Sequence, residues 1–125
     1  MPVLLVGGGG ALGSILRYGL SLLAQRYSVT FPHGTLWANL LGCLVIGVVT
    51  TLATNTSAVT PAMRLFLATG ICGGFTTMSS FIYELAQFVR DREWMFAGAY
   101  LVITFAGCML MFWIGVWLVQ WALKA

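Results

Sequence analysis

"GICGGFTTMSSF" runs from Gly70 to Phe81, inside the third apolar segment of a 125-residue chain. Lipid favours helix-forming, apolar side chains at this depth. Gly73 and Gly74 instead each weaken a helix by about 1 kcal/mol relative to alanine. Thr76, Thr77, Ser79 and Ser80 follow, and their hydroxyls offer substitute hydrogen bonds to backbone groups released from a helix. Irregular backbone at membrane depth persists only where protein buries it or where it lines a cavity. Such a break presents carbonyls to a cation and N–H groups to an anion, as in the discontinuous helices of transporters. The stretch therefore predicts a helix broken over 73–76 and resumed over 78–81.

Composition supports a bilayer setting. The chain is 60% hydrophobic and 7% charged, with a mean hydropathy of +0.96. A soluble domain carries about a quarter charged residues, so this chain lacks the polar groups to cover a water-facing surface. Segments at about 3–23, 34–53, 63–89 and 94–123 are each long enough to cross a bilayer, which takes roughly 20 apolar residues. Short connections make one four-helix transmembrane domain over 1–125, with both termini on one side. The first apolar stretch lacks the basic start of a signal peptide and is expected to remain in place. Cations are nearly balanced between the two ends of the bundle: Arg64 and Lys124 against Arg26, Arg90 and Arg92. Loop cations normally fix orientation. This weak bias predicts insertion in both directions and antiparallel pairing of two copies.

The net charge of +3 rests on six cations and three anions with no basic run, so nucleic acid is not an expected partner. Cys43, Cys72 and Cys108 lie in apolar segments without a CxxC pair and read as small buried hydrophobes. The first segment contains Gly8-x-Gly10-x-x-Gly13, but a dinucleotide fingerprint also needs an acid about 20 residues later. The first acid is Glu84. Gly9 and Gly13 instead form a GxxxG pair suited to close helix packing. One His, no nucleophile–base pair and no metal-ligand spacing leave catalysis without residues, so the chain is not expected to be an enzyme.

Polar side chains inside the spans are costly and mark function. Arg17 shares a helical face with Ser14, Tyr18, Ser21 and Gln25; it either snorkels or stands at the mouth of an anion path, with Glu84 as its natural partner. Asn39 either glues helices or turns its amide N–H groups to an ion. Tyr100, Thr104 and Cys108 recur at helical spacing as a polar track on the fourth segment.

Three blocks, "GGGALGSILRY", "GTLWANLLGCLVIG" and "TGICGGFTTMSSFIYE", closely resemble the Fluc/CrcB fluoride channels along the whole chain. The resemblance implies an all-α, antiparallel, dual-topology homodimer in the cell membrane. It also implies passive fluoride export through two pores, which relieves fluoride toxicity. A structural sodium ion at the dimer centre would be held by the backbone carbonyls of Gly73 and Thr76. The implied fluoride pore residues are Asn39, Met78, Ser79, Ser80, Phe81 and Tyr100, with Arg17 and Glu84 at the vestibules. Two positions depart from the family: Met78 stands where Phe is usual, and Cys108 where a serine continues the polar track. Two rivals are weaker. A small multidrug-type exporter needs an acid in its first helix, and a scaffold would not need Asn39 or the Tyr100–Thr104 track.

Overall fold

The computed structural model describes residues 1–27 and 30–125. Four helical spans account for most of them. Helix α1 (Pro2–Gln25) begins with proline in its first turn, where the missing N–H costs nothing. Helix α2 (His33–Asn55) starts directly after Pro32. It ends in a polar run whose side chains fold back on the helix. Thr51 Oγ1 donates to Gly47 O at 2.7 Å, and Asn55 Nδ2 donates to Thr51 O at 2.9 Å. These local bonds let polar side chains end a membrane helix without exposing unpaired groups.

The third span comprises two helices. Helix α3 covers 61–75. Thr60 caps its start by accepting from Met63 N at 3.1 Å, and Pro61 occupies its first turn. Its middle, Leu65–Cys72, is wound more widely as a π-helix, a form that concentrates at functional sites. Helix α4 (Met78–Arg90) resumes the span, with Thr77 as its N-cap accepting from Ser80 N at 3.2 Å. Between them Thr76 (φ −86°, ψ 155°) and Thr77 (φ −152°, ψ 120°) are extended.

The break thus lies just beyond the glycines that predicted it. Gly73 is itself helical (φ −61°, ψ −39°), and Gly73–Phe75 closes α3 as an ordinary helical turn. Gly74 serves close approach instead: an added Cβ would collide with the Gly10 carbonyl of α1. Gly9 and Gly13 make the matching contacts from α1, where a Cβ on Gly9 would lie 2.6 Å from Phe66 O and one on Gly13 would strike Ile71 O. The GxxxG pair therefore seats α1 on the widened middle of α3. Backbone contact of this kind replaces the hydrophobic driving force that lipid removes.

Helix α5 (Trp94–Lys124) packs chiefly along α2. It spans 31 residues, or about 46 Å at 1.5 Å per residue, longer than a roughly 30 Å hydrocarbon core. The α4–α5 connection is a Schellman closure. Glu93 N donates to Phe88 O at 2.8 Å and Arg92 N to Val89 O at 3.1 Å. Arg92 takes the left-handed position (φ 59°) usually given to glycine.

Candidate functional site

The extended Thr76–Thr77 peptide would leave backbone groups unpaired in the middle of a membrane protein. Asn39 of α2 answers this with both ends of its amide. Thr77 N donates to Asn39 Oδ1 at 2.8 Å, and Asn39 Nδ2 donates to Thr77 O at 3.1 Å. The side-chain amide acts as a second peptide laid beside the extended break. Gly42, one residue short of a turn along α2, leaves room for the Thr76 methyl, which an added Cβ would strike. Thr76 Oγ1 donates back to Cys72 O at 2.8 Å, closing the end of α3.

Arg17 completes the closure. Its Nε donates to Gly74 O at 3.2 Å, a carbonyl left over at the C-terminal end of α3. A cation there opposes the negative end of the helix dipole. The positive end of α4 begins three residues later. Ser79 Oγ and Ser80 Oγ both lie 3.2 Å from Thr77 Oγ1, so the hydroxyls gather around that N-cap.

Glu84 finds other partners than Arg17. Thr35 Oγ1 donates to its Oε1 and Tyr100 OH to its Oε2, both at 2.6 Å. These short, charge-assisted bonds hold the carboxylate from both sides. Tyr100 is 0% exposed and Phe81 1%. Their rings meet at 4.9 Å between centroids, Phe105 presents an edge-on contact to Phe81 at 5.7 Å, and Phe31 and Phe88 meet Tyr100 edge-on.

Two cavities flank this network. One of about 330 Å³ is lined by Asn39, Thr77, Met78, Phe81 and Thr104, with Cys43, Cys72 and Cys108 also on its wall. Thr104 Oγ1 is buried and has no hydrogen-bond partner. Met78 is 59% exposed at the rim. The other cavity, about 500 Å³, is polar; Ser21, Gln25, His33, Thr35, Glu84, Gln87 and Asp91 line it.

The sequence-predicted residues therefore fall into three groups. Asn39, Gly73, Thr76, Met78 and Phe81 meet at the first cavity. Ser79 and Ser80 cluster on Thr77 beside it. Tyr100 and Glu84 pair with each other, Glu84 facing the second cavity. The expected polar face of α1 divides, with Arg17 turned to the helix break and Ser21 and Gln25 to the polar cavity. Thr77 as the clamp partner and Thr35 as a Glu84 partner escaped the sequence reading. Thr35 and Asn39 stand four residues apart on one face, and Thr77 with Ser80 has N-cap spacing; both signals were present.

Residues 4–116 match the family described as CrcB-like protein, Camphor Resistance (CrcB). The chain is also 42% identical over 119 residues to a protein of Chlorobium chlorochromatii (strain CaD3) named Fluoride-specific ion channel FluC. That match covers 95% of this chain and 92% of the relative. The chain belongs to the CrcB/Fluc family. A CrcB/Fluc protein of the same name from Chlorobium phaeobacteroides (strain DSM 266 / SMG 266 / 2430) is 49% identical over 98 residues, covering 78% of this chain and 76% of the relative. Another from Chloroflexus aurantiacus (strain ATCC 29366 / DSM 635 / J-10-fl) is 41% identical over 120 residues, with 95% of each chain covered. CrcB/Fluc membership and four candidate spans make this a multi-pass membrane protein of a channel family rather than an enzyme.

The clamp has a measurable cost of removal. Asn39→Leu strands a backbone donor and acceptor, at about 1–3 kcal/mol each, and is expected to lower the thermal unfolding midpoint in detergent markedly. Thr104→Val removes a hydroxyl with no partner and should leave the midpoint unchanged or raise it. An Asn39→Leu midpoint equal to the parent's contradicts the clamp.

Proposed function

We propose that this chain is a passive fluoride channel that lets fluoride leave the cytoplasm and so relieves fluoride toxicity. The observation that carries the reading is the clamped break opening on a largely apolar cavity to which Asn39 and Thr104 contribute neutral donors. Fluoride is small and strongly hydrated, so a path must replace its water with good donors and avoid holding it too tightly. Asn39 has one amide N–H committed to Thr77 and a second available for an ion. Thr104 adds a hydroxyl without a partner. Phe81 offers the positive edge of its ring, and the α4 N-terminus adds the positive end of a helix dipole.

In this reading Met78, Ser79 and Ser80 form the wall beside Phe81, and Tyr100 continues the path toward Glu84. Arg17 and Glu84 serve the vestibules. Arg17 does so at the break, and Glu84 at the polar cavity with its charge spread over two hydroxyl donors. Met78 lacks an aromatic edge, and Cys108 is a weaker donor than serine, so both tune throughput.

The same reading takes the functional unit to be an antiparallel pair of identical subunits with two pores. Thr69, Gly73 and Ser79 are exposed on the third span, where lipid leaves polar groups unpaired; a second copy would cover that face. Near-equal cation counts at the two ends support insertion both ways. The Gly73 and Thr76 carbonyls fit a sodium ion at the centre. Thr77 N, the helical donor due to Gly73 O, is diverted to Asn39, and free carbonyls at the C-terminal end of a half-helix suit a hard monovalent cation. When bound, sodium would supply fixed positive charge that favours anions nearby.

Phe81→Ile removes the ring edge at similar bulk. It is expected to cut fluoride efflux from liposomes, read with a fluoride electrode, by roughly tenfold or more, the effect of about 1.4 kcal/mol on a barrier. Near-parental efflux would count against Phe81 in the path. For topology, a reporter fused to the C-terminus should appear on both membrane faces in comparable amounts; exclusive placement on one face rejects the antiparallel pair.

A further inference from the structure

The cavity beside Asn39 and Phe81 carries three thiols, of which the fluoride reading uses only Cys108, as a weak donor. Cys43 lies on α2 and Cys108 on α5, and both are partly exposed to the cavity, whereas Cys72 is buried. The helices bearing the first two are pressed together one turn further along. A Cβ on Gly47, four residues after Cys43, would strike the carbonyl of Phe112, four residues after Cys108. A Cβ on Gly115 would lie 2.5 Å from Leu44 O on the same seam. This packing brings Cys43 and Cys108 to the wall of one cavity from adjoining helices.

We infer that Cys43 and Cys108 form a two-coordinate site for a soft monovalent d¹⁰ cation, Cu(I) or Ag(I). Structural zinc needs four ligands, and among the described residues no three His, Cys, Asp or Glu groups converge on a common point. Two thiols on adjoining helices at one cavity suit the two-coordinate preference of Cu(I) and Ag(I), which soft sulfur ligands select. Binding converts two thiols and M⁺ into [S–M–S]⁻ and releases two protons to solvent. The product carries one negative charge in a poorly hydrated place and needs a donor. Thr104 supplies one: it stands one turn before Cys108, is 6% exposed, lines the same cavity and has a hydroxyl without a partner. A bound cation would also put negative charge and bulk on the cavity wall beside Asn39 and Phe81. Block of fluoride flux by the metal follows from that and rests on the channel reading; binding of the metal does not.

Silver nitrate added to the purified full-length chain in chloride-free detergent buffer tests the site. After desalting, elemental analysis should find one silver per chain, and X-ray absorption at the silver edge should find two sulfur neighbours. Cys43→Ser and Cys108→Ser should each weaken retention by more than the roughly tenfold that loss of a supporting partner costs a metal site. Cys72→Ser should retain silver. Unchanged retention in either of the first two variants, loss in Cys72→Ser, or a sulfur count other than two on the unmodified chain overturns the pair; the last readout needs no variant to fold. Fluoride efflux recorded before silver is added is a separate readout. Its absence removes the channel reading and leaves the silver stoichiometry standing.

Discussion

One side chain makes the rest of the structure possible. A membrane helix cannot be interrupted unless the backbone groups set free are paired, and Asn39 pairs the N–H and the C=O of Thr77 at once. With that peptide held, α3 can end, α4 can begin with Thr77 as its own cap, and two helix termini meet inside the protein. Arg17 belongs to the same device because it takes a carbonyl that the interruption leaves over. The three residues that lipid would tolerate least in these spans thus divide into two for the break and one, Glu84, for a separate hydroxyl-bound site.

Packing enforces the location. Gly9, Gly13 and Gly74 bring α1 into backbone contact with α3 and keep 73–75 helical. The interruption is displaced to the first residues beyond that contact that α2 can reach. The aromatic group of Phe31, Phe81, Phe88 and Tyr100 then fixes α4 against α5, so that Phe81 borders the cavity with little freedom to move. Edge-to-face ring pairs of this kind favour defined geometry over simple area burial.

Much of this was legible in the residues and some was not. The four spans follow from hydropathy, and the helices extend only a few residues past the expected bounds, to Gln25, Asn55, Arg90 and Lys124. That the third span is interrupted also follows, since Gly73-Gly74 with Thr76-Thr77 conflicts with an unbroken helix. The position of the break does not follow, because glycine has two uses, conformational freedom and close approach, and only the neighbouring helix decides between them. Partner choice was hidden for a related reason. Arg17 and Glu84 are complementary as charges, yet Arg17 reaches a carbonyl and Glu84 reaches two hydroxyls. Helix register, which one chain's periodicity does not specify, sets those pairs.

The central claim is that the clamped break and the cavity it shares with Thr104 select fluoride over larger, more weakly hydrated anions. Parallel efflux from one batch of proteoliposomes, loaded with fluoride and chloride and read with electrodes for each, tests it most directly. The account predicts release of fluoride with chloride retained. Release of both anions at similar rates, or of neither from folded protein, would contradict it.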